Sequence, residues 1–318
     1  MNAQAKPAQA LAHDILCIDT DQVRPGMACC YLLRSGDQYA FIETGTPHTV
    51  PGLLALLAER GIAAGQVRYV IPTHVHLDHA SGAGTLMNAL PQARLVIHPR
   101  GARHMIDPSK LIAGAAAVYG ADQLQKLYGT LEPIAESRVI VADDGFELDF
   151  NGRKLVFIDS PGHARHHFSI WDERSRGFFT GDTFGLSYRD FDGARGPLLM
   201  ATTTPVQFEP EAWMATIDRF LSFRPEWMYL THYGRVGDVA RLAGELRADI
   251  EAHTRIAREL AAAPDRHTKL MAALTRHELD RLARLECPLP EPRARELLSF
   301  DMDLNAQGLE VWLDKAKS

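Results

Sequence analysis

Residues 67–84 constrain this chain more than any other stretch. An apolar run over 67–71 leads through Pro72 into Thr73, His74, Val75, His76, Leu77, Asp78 and His79, and then into the small residues Ala80, Ser81, Gly82 and Gly84. Three imidazoles and a carboxylate within six positions are costly to place at the end of a buried strand. Neutral imidazole and carboxylate are, however, ordinary ligands for zinc-like divalent ions. Side chains alternate along an extended segment, so His74 and His76 point the same way and can grip one ion. Asp78 and His79 sit where the chain turns into a helix and can swing toward a second. The alternative is a histidine-rich polar loop, but the position between a strand and a helix favours a site.

Composition narrows the partners. Net charge is −6, with 34 Lys and Arg against 40 Asp and Glu, and no basic run stands out. A phosphate backbone needs a positive field, so the expectation is a small-molecule substrate and no nucleic acid. No stretch approaches the ~18 uninterrupted apolar residues of a membrane span, and the first residues lack the apolar core of a signal peptide, so no membrane association is expected. Cys17, Cys29, Cys30 and Cys287 have no CxxC spacing, and the adjacent pair lies in an apolar strand. Free thiols in a reducing, cytoplasmic setting are the reading.

In chain order, residues 1–14 read as a flexible arm, and 15–236 as one domain. Apolar runs at 15–19, 28–34 and 38–43, separated by turn residues, predict antiparallel strands. A helix opens at Thr49 or Val50 with Pro51 in its first turn and stops before Gly61. After the histidine-rich loop come a helix, a strand at 94–98 and a helical insertion over about 99–129. Further strands are predicted at 139–141, 146–148, 154–159, 168–171, 178–180 and 227–230, with a helix at 209–223. Strand clusters with helices between and after them suggest two sheets flanked by helices rather than a doubly wound sheet, and no GxGxxG or GxxxxGK[ST] favours a nucleotide. Residues 237–318 read as a helical C-terminal extension: helices at 238–263 and 267–285, a proline-rich turn, then short helices through Trp312. It is expected to serve packing or homodimerisation, with a wall of a substrate pocket as the sharper alternative.

Three signals at strand ends lie downstream of the histidine-rich loop. Pro161, Gly162 and His163 follow one strand, with Gly162 permitting a sharp turn that aims the imidazole. Gly181 and Asp182 follow a second, and Thr231 and His232 a third. Each alone is as well explained by turn formation; their joint occurrence beside Gly or Thr points to a shared site.

Together, Thr73 to His79, Pro161 to His163, Gly181 with Asp182, and Thr231 with His232 resemble the metallo-β-lactamase-fold metallohydrolases, in particular the branch of glyoxalase II-type thioesterases and lactonases. The resemblance covers roughly residues 15–235. It implies an αββα sandwich of two mixed β-sheets flanked by helices, and two divalent metal ions, zinc by preference with iron or manganese as alternatives. His74, His76 and His163 would hold the first ion; Asp78, His79 and His232 would hold the second; Asp182 would bridge them. His167 would support the site, His166 would be incidental, and the other histidines, among them His253 and His277, would be surface or satisfied core residues. Glu43 stands where many relatives have Asp, so support of the metal loop is expected to differ. No Cys occupies a ligand position, which disfavours the penicillinase-like subclasses that use one.

The activity so implied is a dinuclear metal-dependent hydrolase, with a metal-bridging hydroxide attacking a small ester, lactone or thioester. Asp78 would orient the nucleophile and shuttle its proton. Tyr188, a few residues after the bridging Asp, would hydrogen-bond the substrate carbonyl as in related lactonases, or else simply pack. The alternatives are an iron-dependent dioxygenase or other oxidoreductase, a small-molecule phosphodiesterase, and a non-catalytic effector-binding protein of the same fold.

Overall fold

The computed structural model describes residues 4–204 and 206–315, side chains at 117–119 excepted. Pro205, the first three residues of the expected arm and the last three of the expected extension lie outside the described residues. The chain forms two compact units. One runs through Asp159 and resumes over His166–Gly181; the other takes Ser160–Arg165 and continues from Asp182.

In the first unit, β1 (Ala8–Leu11), β2 (Ile15–Asp19), β3 (Cys29–Ser35), β4 (Gln38–Ile42), β5 (Val67–Ile71), β6 (Arg94–Ile97) and β7 (Val139–Val141) form a seven-stranded sheet in sequence order. The first four strands pair antiparallel and the last four parallel. Parallel neighbours need long crossovers. Here α1 (Val50–Glu59), α2 (Leu77–Ala80), α3 (Ala83–Ala89), α4 (Pro99–Ile106), α5 (Ser109–Tyr119) and α6 (Ala121–Tyr128) lie in those crossovers. The last three form the expected helical insertion. Four antiparallel strands follow: β8 (Glu147–Phe150), β9 (Arg153–Asp159), β10 (Phe168–Asp172) and β11 (Gly177–Gly181).

Alternation along β3 shows how this sheet is covered on both faces. Cys30 and Leu32 join an apolar cluster with Leu53 of α1, Leu86 of α3 and Ala102 of α4. Tyr31, between them, turns the other way and meets Phe179 of β11 edge-on, ring centroids 5.1 Å apart. Tyr69 of β5 does the same to Phe150 of β8 at 5.9 Å. A strand buried on both faces has no polar positions to spare, hence its continuous apolar run. The four cysteines are free thiols. A hydrogen bond with Cys29 and burial push the Cys17 thiol well above its ordinary value, and burial does the same to Cys30. Cys17, Cys29 and Cys30 are buried packing groups.

The second unit carries α7 (Pro210–Ser222), the antiparallel pair β12 (Trp227–Leu230) and β13 (Gly234–Val236), and the helices α8 (Val239–Glu259), α9 (Arg266–Arg284) and α10 (Glu291–Lys315). Two β-sheets flanked by helices, followed by a C-terminal helical region, make up the expected architecture.

Three local expectations differ from the structure. Residues 8–11, expected in a loose arm, pair with β2 from Ala8↔Ile18 to Leu11↔Ile15. The short helices expected before Trp312 are one 25-residue helix, α10. Pro292 lies in its first turn, where a missing N–H costs nothing. Gly308 does not break it but serves close approach, because a Cβ there would fall 1.6 Å from the Thr203 carbonyl oxygen. Finally, the division of the chain does not fall at 236/237. The carboxylate of Asp249 in α8 accepts from the Ala201 N–H at 2.8 Å, and the Asn305 side chain in α10 accepts from the Thr203 N–H at 2.7 Å, so the helices pack with what precedes them. Among the described residues no helix is long and apolar enough to cross a membrane.

Arg153 joins the two layers of strands in the first unit. It is 1% exposed and donates from Nε to Asp172 at 2.9 Å, and from Nη1 to the carbonyls of His13 at 2.9 Å and Arg34 at 3.1 Å. Removing one partner of such a pair leaves a buried charge uncompensated. Arg153→Ala should therefore destabilise the protein by about 3–5 kcal/mol, read as a fall in the urea midpoint. The paired exchange Arg153→Met with Asp172→Leu should cost less.

Candidate metal centre

Each unit assembles part of the expected ligand set. In the first, residues 73–79 form the turn from β5 into α2, and Glu43, just after β4, anchors it. Glu43 is 1% exposed. Its carboxylate accepts from the Thr73 N–H at 3.1 Å, from the Thr73 hydroxyl at 2.5 Å and from His79 Nδ1 at 3.0 Å. The Glu43 side chain thus reaches both ends of the loop. Since the Thr73 hydroxyl proton is committed to Glu43, the 3.0 Å contact with His74 Nδ1 requires that nitrogen to donate. Both His74 and His79 are so fixed with the proton on Nδ1 and the lone pair on Nε2. The His76 ring lies 4.5 Å from that of His74, and the His79 ring 4.0 Å.

Two neighbours complete this half. His167, expected to support the site, is fully buried and stacks on His74 at 4.7 Å. His166, expected to be incidental, packs edge-on against His76 at 5.4 Å and takes a long 3.5 Å contact from the Val75 N–H. A lone His beside a ligand motif gives no sequence signal that separates these roles.

In the second unit, His163, Asp182 and His232 come together. Asp182 directs Oδ2 to His163 Nε2 at 3.4 Å and Oδ1 to His232 Nε2 at 3.8 Å, one oxygen for each imidazole. Gly162, at φ 131°, makes the turn that aims His163; a Cβ there would sit 2.4 Å from Cβ of Trp213. His163 Nδ1 lies 3.1 Å from the Thr202 carbonyl oxygen and 2.6 Å from its hydroxyl. A carbonyl only accepts, so here too Nδ1 carries the proton and Nε2 the lone pair. Nothing in the sequence singles out Thr202, one of three consecutive threonines in a long loop. That loop is held from the helical tail: Asn305 accepts from Thr203 N–H at 2.7 Å and donates to the Ala201 carbonyl at 3.0 Å. The tail therefore braces the partner of an expected ligand, a contact that only the tertiary structure reveals.

Of the two expected places for Tyr188, the structure shows the packed one. It is 1% exposed, and its hydroxyl donates to Asp301 of α10 at 3.1 Å. The side chain that was expected to bind a substrate carbonyl is instead packed and committed to a carboxylate.

The donor chemistry fits divalent cations. His163 Nε2 and Asp182 Oδ2 are both acceptors, 3.4 Å apart, and so are His79 Nε2 and Asp78 Oδ2 at 3.4 Å in the other unit. Two lone pairs at that distance repel unless a positive charge lies between them. The edge of a tetrahedron with ~2.0 Å metal–ligand bonds is about 3.3 Å. Within the first unit, single donor atoms of Glu43, His74 and His79 also lie within 4.8 Å of one another.

Comparison with known proteins agrees with this chemistry. Residues 23–232, well over half of the chain, match the family described as the metallo-beta-lactamase superfamily, and the chain belongs to that superfamily. A metallo-beta-lactamase fold-containing protein of Sulfurisphaera tokodaii is 26% identical over 261 residues, 74% of this chain and 92% of that protein. The crystal structure of an archaeal metallo-beta-lactamase superfamily protein from Sulfolobus tokodaii superposes with TM-score 0.62 at 19% identity, covering 96% of this chain and 98% of the other, which shows the fold. A Bos taurus protein named acyl-coenzyme A thioesterase MBLAC2 is 26% identical over 164 residues, 48% of this chain and 56% of that protein.

Outer groups that fix ligand tautomers typically contribute 10–100-fold to metal affinity. Glu43→Gln places an amide where a carboxylate accepts two protons from Thr73 and one from His79. The expected result is divalent-metal affinity weakened by about 10–100-fold, measured by competition with a chromogenic chelator, with native circular dichroism. Unchanged affinity would mean that Glu43 does not set the His79 tautomer.

Proposed function

We propose that this chain is a dinuclear metal-dependent hydrolase of small esters, lactones or thioesters, with His74, His76 and His163 holding one ion, Asp78, His79 and His232 the other, and Asp182 both. The observation that carries it is Asp182 presenting one oxygen to each of two imidazoles, 3.4 Å and 3.8 Å away, with the nearer imidazole's lone pair facing it. Membership of the superfamily and the matching acceptor pair in the other unit support it. Zinc is the preferred metal, since an all-His and carboxylate set suits it; iron and manganese accept the same donors.

Bound there, a pair of divalent ions lowers the pKa of water from 15.7 toward about 7 and polarises a carbonyl oxygen. The chain's residues supply the rest. Glu43 and Thr202 hold His79 and His163 in the tautomer that leaves Nε2 basic. Asp78, with a side chain 27% exposed, accepts the proton of the attacking water and returns it to the departing oxygen or sulfur. Tyr188 has no part in this scheme, because its hydroxyl serves Asp301. The thioester option draws on the similarity to the bovine thioesterase. Free thiols are consistent with a reducing, cytoplasmic setting.

Metal analysis coupled to a panel of lactone, ester, thioester and phosphodiester substrates tests this reading. Carbonyl hydrolysis together with two metal equivalents that Asp182→Ala loses along with turnover is the expected result. Both ions retained in that variant would falsify the bridging role. One iron per chain with oxygen uptake would replace hydrolysis by oxidation, and turnover of phosphodiesters alone would overturn the substrate class.

A further inference from the structure

Outside the residues that match the superfamily, α8 and α9 bury a second group of donors. Asp249 and His253 are one helical turn apart on α8, so they share a face, and His277 and Glu278 come from α9. Asp249 is 1% exposed, and His253 and Glu278 are fully buried. One donor atom from each of these four residues lies within 4.8 Å of all the others. We propose that these residues form a further divalent-cation site of the zinc class, tying α8 to α9.

The carboxylates divide their oxygens in the way such a site needs. Arg281 Nη1 takes the outer ones, 2.9 Å from Asp249 Oδ2 and 2.8 Å from Glu278 Oε2, and the Ala201 N–H adds a further bond to Asp249 Oδ2 at 2.8 Å. The inner oxygens face imidazole nitrogens: Asp249 Oδ1 lies 2.7 Å from His277 Nε2 and 3.6 Å from His253 Nε2, and Glu278 Oε1 lies 3.4 Å from His253 Nε2. The two contacts of His253 exceed the 2.7–3.2 Å range of a good N–H···O bond and approximate the ligand–ligand edges of a tetrahedral metal site, whereas the 2.7 Å contact of His277 with Asp249 is a hydrogen bond that a bound ion would replace. Arg281 then acts as the outer partner that orients both carboxylates.

Charge and access agree. Two carboxylates against one guanidinium leave the buried group net negative. Asp249, His277 and Arg281 line an open cavity of about 400 Å³, which supplies a route from solvent. Metal sites built from side chains on facing helices are an established use of helix packing.

Zinc stoichiometry of the full-length protein tests the proposal. Asp182→Ala, in which the ions of the centre described above are expected to be lost, should retain one zinc equivalent, and adding His277→Gln should remove it. In the otherwise wild-type chain, His277→Gln should lower metal content by one equivalent per chain and leave ester turnover unchanged. Co²⁺ loading should show a visible absorption component in Asp182→Ala that His277→Gln abolishes. Equal metal content and equal Co²⁺ spectra with and without His277→Gln, in variants with native circular dichroism, would overturn the site. Should His277→Gln fail to fold, Glu278→Gln in the Asp182→Ala background decides: loss of the remaining equivalent supports the site, and its retention overturns it.

Discussion

The loop that carries four of the seven expected ligands depends on a single carboxylate. Glu43 is removed from water at the end of β4, and hydrogen bonds from Thr73 and His79 replace lost hydration. Bonds to a charged acceptor contribute about 1.5–3 kcal/mol each, and an unmet buried carboxylate would cost more. Because β4 and β5 are parallel neighbours, the end of one strand lies beside the end of the next. That register brings a residue thirty positions earlier in the chain to the loop it must hold. The ligand geometry of this half is a consequence of strand pairing.

The other half is organised by a different device. His163, Asp182 and His232 each follow a turn or a strand end, but the group that sets the His163 tautomer is Thr202, in a long irregular loop. Loops with few internal hydrogen bonds hold a geometry only when something else fixes their backbone. Asn305 of α10 and Asp249 of α8 bond the residues on either side of Thr202. A C-terminal helical region that carries none of the superfamily's ligand motifs thereby supports one of them. Its own donors, the buried Asp249, His253 and Glu278 with the half-buried His277, show that chemistry-bearing side chains need not lie in the motif-bearing domain.

How legible this is in the sequence differs residue by residue. His74, His76, Asp78 and His79 announce themselves because four potential ligands in six positions serve few purposes besides binding a cation. His163, Asp182 and His232 are legible only together, through repeated strand-end placement. Apart from β1 and β13, the strands of the two sheets are readable to within a residue or two, since apolar runs and turn residues carry that signal. Strand β1, short and half exposed, carries too little apolar pattern to announce itself. Pairing across β1 and β2 creates it. The two readings of Tyr188 stay open in sequence because a tyrosine near a site looks the same whether its hydroxyl faces a substrate or, as here, Asp301. His253 and His277 read as satisfied residues. Their one local hint is the Asp249–His253 spacing of a helical turn, which means little until α9 supplies its partners.

The sequence by itself determined the kind of chemistry available: which side chains can bind a cation, where strands turn into helices, and which faces must be buried. Those are local properties, written in residue type and periodicity. Tertiary structure decided which nitrogen of each imidazole holds its proton, which carboxylate faces two imidazoles, and that Thr202, Asn305 and Asp249 belong to the support of the ligands. The reason is that a hydrogen bond between groups as far apart as His163 and Thr202, or Thr203 and Asn305, depends on backbone placement set by the whole unit. No short window of sequence encodes that distance.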